Sequence, residues 1–415
     1  MAAKYAVRNV DMGGGERMPL LVDGETGLGL FEPTAWSLSL RSQRLEVNTI
    51  ADALSAVSFL YESLAEAKVT LMDRIRQNDL LSLGEVEGLV ARCKYDKAGL
   101  RFADQVAETA NVSLHRKPLE KSKAAHYDVA VVQSNTAGKR LLYIAKYLDW
   151  LADYAFLSKI PSNRNEFRGI AAMVVKAIRA RTPGKSPTKK KKGLTKSVEE
   201  RLWAVVSADS PENPWKNSFI RKRNYLIVRL LRDLGIRKGE LLGVKIEDIN
   251  FSNNTIFIAR RPDDPEDPRD RQPEAKTLER TLPMGDLLVE VLKAYIDEER
   301  AAIPAARRHP FLIVARDGEP LALNSIDYMF KTVREKFPEL ASVAAHILRH
   351  TWNDSFSEFA KGSLSKEDQR KVRNYLMGWT ENSKSEADYT ARFVEEQAQA
   401  ASLAMQNDIY REAQA

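Results

Sequence analysis

From Asn48 onward the apolar residues Ile50, Leu54, Val57, Leu60, Tyr61 and Leu64 recur every three or four positions, the spacing that lines one face of an α-helix. The same spacing predicts a helix over 137–156, carrying Leu141, Leu142, Ile144, Ala145, Leu148 and Leu151, and another over 167–179. Tyr61, Tyr143, Tyr147 and Trp150 fall at helical spacing too and read as core rather than as a base-stacking platform. Ahead of these helices, turn signals at Gly13-Gly14-Gly15 and Asp23-Gly24-Glu25 surround short apolar runs, so residues 1–44 read as a small strand-bearing segment. Pro183, Gly184 and Pro187 interrupt helix continuation and mark a boundary.

Past that boundary Thr195 is a helix cap, with Glu199 and Glu200 near the positive end of the helix. Further helices are predicted over 224–234, 238–244, 287–301, 325–336 and 345–359. Strands are predicted over 255–259 and 275–282, separated by a long polar connection over 261–273. The chain therefore reads as multidomain and mainly α. An all-helical domain spans 45–180, a linker 181–194, an α+β domain with a small antiparallel sheet 195–392, and a polar helical tail 393–415.

Composition narrows the classes. At 415 residues, 44% hydrophobic and 29% charged, the chain is long enough for two cores. The single cysteine, Cys93, allows no intramolecular disulfide and no cysteine-based zinc site, which fits a reducing interior. No metal or cofactor is implied. The N-terminus lacks the apolar stretch of a signal peptide and no run of about eighteen apolar residues occurs. A soluble, intracellular, cytoplasmic protein is expected.

The formal net charge is +7, and its location is informative. Residues 181–196 hold seven basic residues (Arg181, Lys185, Lys189, Lys190, Lys191, Lys192 and Lys196) and no acid, leaving the rest of the chain neutral in sum. A lysine run of this kind serves either as a solvated linker or as a strip that lies along polyanion phosphates.

The candidate chemistry lies in the second half. In His346-Ile347-Leu348-Arg349-His350, positions i, i+3 and i+4 of a helix share one face, so His346, Arg349 and His350 are expected in one pocket. Arg237 follows the Leu234-Gly235 turn and has Glu240 three residues later. Lys276 opens Lys276-Thr277-Leu278-Glu279-Arg280-Thr281-Leu282-Pro283, and Gly378-Trp379 precedes Tyr389. Arginine supplies a permanent planar fork suited to phosphate oxygens, and a phenol can serve as a nucleophile when its proton is removed.

This order of motifs resembles the catalytic domain of tyrosine recombinases, the phage integrase family. The resemblance covers 195–392, and residues 45–180 are similar to the core-binding domain that precedes it. It implies that Arg237 and Arg349 hold the nonbridging oxygens of a DNA phosphodiester, that Tyr389 attacks it to leave a 3′-phosphotyrosine, and that His346 helps remove the phenolic proton. It further implies Lys276 as general acid, Trp379 as a donor to phosphate, and Glu240 and His350 as supporting residues. Double-stranded DNA with specific sites is the implied partner, with Lys189, Lys190, Lys191 and Lys192 along its backbone. Assembly as a tetramer, with the tail packing on a neighbouring protomer, is implied as well. Two departures stand out: the gap from Arg349 to Tyr389 is a few residues longer than the family pattern, with 361–373 reading as a charged insertion, and the gap from Trp379 to Tyr389 is one residue longer. Competing readings are a DNA-binding regulator that kept the fold but lost cleavage, and a metal-dependent carboxylate transposase, which leaves the run from His346 to His350 unexplained.

Overall fold

The structure, a computed structural model, describes residues 4–12, 15–96, 100, 131–184, 186, 191–383 and 389–412. It divides into two compact units: Met1–Gly13 with Arg17–Thr188, and Gly14–Glu16 with Lys189–Ala415.

In the first unit, β1 (Tyr5–Asp11) and β2 (Arg17–Asp23) form an antiparallel hairpin in which Val7 faces Leu21. Six helices follow among the described residues: α1 (Phe31–Ser42), α2 (Val47–Glu66), α3 (Leu71–Arg76), α4 (Leu83–Arg92), α5 (Ser134–Leu157) and α6 (Arg164–Ala180). The α2 positions Ile50, Leu54, Val57, Leu60 and Leu64 are buried, and so are Leu141, Ile144, Leu148 and Leu151 of α5; Leu142, one position off that stripe, is exposed. Tyr147 is buried with its hydroxyl 2.7 Å from that of Tyr61, so those two polar ends satisfy each other, and the half-buried Trp150 stacks between Tyr147 and Tyr154 at the edge of the core.

Residues 1–44 bear the expected strands, the β1–β2 hairpin, but not strands alone. They include the helix α1, whose Trp36 packs edge-on against Tyr147 at 5.2 Å and whose Ser37 hydroxyl donates to the Pro19 carbonyl at 2.7 Å. The segment therefore shares the core of the helical unit. Its helical face is carried by Pro33, Trp36 and Ser37, too few large apolar residues to register as a period. The short helices α3 and α4 lie outside the elements predicted above, although α4 opens with a complete Ser82–Glu85 capping box and buries Val86, Leu89 and Val90 at helical spacing.

In the second unit Thr195 caps α7 (Lys196–Val206), its hydroxyl accepting from the Val198 N–H at 3.4 Å. Asn217 caps α8 (Ser218–Asp233), which begins earlier than the apolar spacing indicates, and α9 (Lys238–Gly243) follows. The sheet orders β3 (Ile249–Asn250), β4 (Thr255–Ile258) and β5 (Arg280–Pro283) antiparallel, with Ile256 opposite Leu282 and Ile258 opposite Arg280. The last strand begins at Arg280 rather than near 275, so Lys276 sits in the loop before it. The Leu278 N–H is engaged by the Gly378 carbonyl at 2.9 Å instead of by β4, which delays pairing.

The polar connection is anchored rather than loose. Lys245 is buried and ion-paired with Asp264 at 2.9 Å and Glu266 at 2.5 Å, and Arg269 pairs with Asp267 at 2.7 Å. The remaining helices are α10 (Asp286–Ala294), α11 (Leu323–Lys336), α12 (Ala345–Ala360), α13 (Lys366–Met377) and α14 (Ala391–Glu412). Much of the supposed insertion at 361–373 is the start of α13, capped by Ser365. Leu226, Ile227, Leu230 and Leu231 of α8 pack with Ile256, Ile258, Leu282, Leu292 and Leu348 into one core, which fixes α12 beside the sheet.

The turn between α8 and α9 depends on Gly235, whose φ is 61° and whose position would bring a Cβ within 2.8 Å of the Trp352 ring. Gly235→Ala is expected to cost at least about 1–3 kcal/mol through the left-handed backbone alone. Chemical denaturation of the wild-type and variant proteins checks this.

Candidate active site

Glu240 lies in α9 with its side chain fully buried, and it draws the surrounding elements together. Its Oε2 accepts from the Arg237 backbone N–H at 2.9 Å, closing the first turn of α9, while Oε1 lies 3.3 Å from Arg237 Nη1. Arg280, from the start of β5, donates through Nη2 to Glu240 Oε2 at 2.9 Å. Thr277, beside Lys276, donates its hydroxyl to Oε1. Arg349, from α12, places Nη1 3.9 Å from Oε2. Burial raises the Glu240 carboxyl, but Arg280 and Arg349 more than offset this and hold it down at about 2, so it is ionised at neutral pH.

Arg237 and Arg349 thus meet at one carboxylate although 112 positions separate them. Arg349 is fully buried. Its Nη1 donates to the Gly235 carbonyl at 2.6 Å and its Nη2 to the Met377 carbonyl at 2.9 Å, which aims the guanidinium from behind. Burial, with Arg237 next, lowers it to about 10, still charged at pH 7. Arg237 keeps 28% of its side chain exposed, at the open edge of the pocket. Three guanidinium groups therefore surround one carboxylate, and the cluster carries an excess of positive charge.

Tyr389 is buried beside this cluster. Its ring stacks on His350 at 4.4 Å and 25°, meets His346 edge-on at 5.2 Å, and lies 5.2 Å from the Trp379 ring. The Arg349 guanidinium carbon is 5.6 Å from both the Tyr389 and Trp379 rings. Trp379 is placed by the end of α13: Gly378 turns the chain with φ of 64°, and the Trp379 N–H returns to the Asn374 carbonyl at 2.8 Å. Among the described residues, Arg349 Nε and the Trp379 indole N–H are buried without a hydrogen-bond partner. Unpaired donors beside one phenol, in an electropositive pocket, make a site suited to an anion with multiple oxygens.

His346 stands at the mouth of the pocket, and much of its ring is open to solvent. Desolvation against the wall and the cations Lys191, Arg349 and Arg237 push it down to about 4, and desolvation, His346 and Lys191 do the same to His350. Both rings are therefore neutral at pH 7, in the state that accepts a proton.

Lys276 is exposed, and no contact among the described residues ties its ammonium to the cluster, although its neighbour Thr277 bonds Glu240 directly. The nearby alternatives are engaged: Lys238 pairs with Asp327 at 2.5 Å and Lys245 with Asp264. Lys189 and Lys190 lie outside the described residues. Lys191 sits near the histidines, and Lys192 pairs with Glu395. Tyr375, the other phenol near Trp379 in sequence, is exposed, with its hydroxyl 3.3 Å from the Thr281 carbonyl.

Arg280 was not singled out by the sequence reading. Besides Glu240 it bonds the Leu376 carbonyl at 2.7 Å and the Leu278 carbonyl at 3.3 Å, linking the Lys276 loop to the end of α13. The signal available was its alternation with Thr281 and Leu282 in a strand, which places an arginine on the buried side. Among the described residues no cluster of three or more histidine, cysteine, aspartate or glutamate side chains could hold a metal ion, and no helix is long and apolar enough to cross a membrane.

Residues 194–396 match the family model described as Phage integrase family. Tyrosine recombinase XerC of Staphylococcus aureus is 24% identical over 153 residues, which is 37% of this chain and 43% of the relative. Tyrosine recombinase XerA of Thermococcus kodakarensis is 25% identical over 233 residues, 51% of this chain and 71% of the relative. The chain spans less than half the length of the staphylococcal relatives it matches. Among solved structures, XerH site-specific recombinase bound to a palindromic difH substrate aligns with a TM-score of 0.48 at 16% identity, covering 90% of this chain and 85% of that one. Tn1549 transposon integrase in complex with circular intermediate DNA aligns with a TM-score of 0.40 at 17% identity, covering 70% of this chain and 96% of that one.

Both histidines have folded-state pKa values below the unfolded value near 6.5, so as pH falls the unfolded chain binds protons first and stability declines between about pH 6.5 and 4; above that window they add no pH dependence. Histidine-ring NMR titration of the DNA-free protein should show the His346–His350 pair titrating near 4. A midpoint at 6 or above for both would mean that the cations and burial do not act on these rings.

Proposed function

We propose that this chain, which belongs to the phage integrase family, is a site-specific DNA recombinase that cleaves and rejoins strands through Tyr389 without metal or ATP. The observation that carries the reading is the convergence of Arg237 and Arg349 on Glu240 beside the Tyr389 ring, with Arg349 Nε and the Trp379 indole N–H left without partners.

A phosphodiester repels nucleophiles and gathers charge on its nonbridging oxygens as it becomes five-coordinate, so fixed cations there lower the barrier. Arg237 and Arg349 fill that role, with the Trp379 N–H as a further donor. The Tyr389 oxygen forms a bond to phosphorus while the bond to the 5′ oxygen breaks. The phenolic proton passes to neutral His346, with His350 holding the ring, and Lys276 supplies the proton that the leaving 5′ oxygen takes up. Lys276 is exposed, and its neighbour Thr277 bonds Glu240, which puts the lysine beside the cluster. The ester energy stays in the 3′-phosphotyrosine, so a second 5′ hydroxyl reverses the step on a new partner. Strand exchange between two duplexes needs four such protomers, which is the basis for a tetramer on paired sites, as expected of a phage-type or mobile-element integrase.

Duplexes selected by the protein from a random-sequence pool supply the site, and a copy nicked beside the cleavage position traps the intermediate. The wild-type protein should give a covalent protein–DNA adduct that Tyr389→Phe abolishes, and Arg349→Lys should slow its formation about 10²- to 10³-fold. DNA binding with no adduct would instead identify a silent DNA-binding regulator. If Lys191 and Lys192 lie along phosphates, Lys191→Ala and Lys192→Ala should each reduce the slope of log affinity against log salt by close to one, measured by fluorescence anisotropy. An unchanged slope would make the strip a solvated linker.

A further inference from the structure

Beside the face of α12 that carries His346, Arg349 and His350, a second set of polar contacts joins two segments distant in sequence. Thr351 accepts the Leu194 backbone N–H on its hydroxyl at 2.8 Å. Asp354, buried, accepts the Gly193 N–H on Oδ2 at 3.1 Å and the Phe393 N–H on Oδ1 at 3.2 Å. Arg392 completes the arrangement, with Nε 3.5 Å from Asp354 Oδ2 and Nη1 donating to the Leu194 carbonyl. Lys192 pairs with Glu395, one turn into α14. The strap 191–194 lies so close to α12 that a Cβ at Gly193 would stand 2.7 Å from the Thr351 Cα.

One carboxylate thus fastens both the strap, which carries Lys191 and Lys192, and the root of α14, three residues after Tyr389. Both segments bear groups of the proposed reaction, yet Asp354 does not itself face the phenol. A buried carboxylate satisfied by two backbone N–H groups and a guanidinium holds its partners in one geometry, because leaving any of them unpaired in a desolvated place is costly. Nucleophile placement is sensitive to displacements of about 1 Å, which can change rate about 10²-fold.

We infer that Asp354 is a positioning residue that locks the basic strap to the root of α14, so that engagement of DNA phosphates by the strap sets where the Tyr389 hydroxyl stands. The inference rests on the recombinase reading of Tyr389. It is tested on the full chain with wild-type, Asp354→Ala and Asp354→Asn proteins. Two measurements are made: backbone hydrogen exchange without DNA, and adduct formation on the nicked site at saturating DNA.

In Asp354→Ala the amides of residues 193–194 and 393–394 should lose protection together. Adduct formation should slow about 10- to 10²-fold, while DNA affinity stays within about twofold. Asp354→Asn, which keeps one acceptor oxygen but loses the charge facing Arg392, should fall between the two and serves in place of the alanine variant if that protein does not fold. Adduct formation at the wild-type rate, or loss of protection in one segment alone, overturns the inference, as does a matching fall in affinity. If the wild-type protein itself gives no adduct, the recombinase reading fails, and the exchange data alone then decide whether Asp354 tethers the two segments.

Discussion

A single ionised carboxylate, Glu240, buried among Arg237, Arg280 and Arg349, is the constraint on which the second unit is organised. Burying a charge is unfavourable unless its lone pairs are filled by well-placed donors, and removing one partner of such a group typically costs about 3–5 kcal/mol. Here the donors come from α9, from the loop before β5 and from α12. Those elements are separated in the chain but cannot drift apart without stranding a charge in the interior. Hydrophobic packing around Leu241, Ile256, Leu282 and Leu348 brings them near one another, and the carboxylate specifies their angular setting.

The same arrangement explains the character of the pocket. Glu240 neutralises only part of the charge around it, so the cluster remains electropositive. Arg349 Nε and the Trp379 indole N–H are buried without a partner, and both side chains lie beside the Tyr389 ring. A site that leaves donors unpaired in a low-dielectric place sacrifices stability for affinity toward an anion that satisfies them all, and preorganised donors need little reorganisation when charge develops on that anion. The histidines are depressed first by desolvation and then by neighbouring cations, which disfavour a further positive charge.

Helix α12 serves both sides of this design. One stripe, His346, Arg349 and His350, faces the phenol, and the adjacent stripe, Thr351 and Asp354, holds the strap and the root of α14. One helix thus carries both sets of contacts.

Much of this was legible in the linear order of residues. The long amphipathic helices, the Thr195 cap and the grouping of His346, Arg349 and His350 follow from local periodicity, because a helix dictates which neighbours share a face whatever surrounds it. The arginine beside Glu240 and the tyrosine after Gly378-Trp379 were visible as motifs. The short helices α1 and α3 were not, since few large apolar residues leave no period. The register of β5 was also hidden, because the Leu278 N–H chose the Gly378 carbonyl, a partner one hundred positions away, over the neighbouring strand. Arg280 as a third guanidinium on Glu240, and Asp354 as the common anchor of strap and tail, likewise depend on contacts between distant segments. Sequence by itself determined which groups share a helix face; only the tertiary structure decided which charges share a carboxylate, because burial and charge pairing are set by what the folded chain brings together from afar.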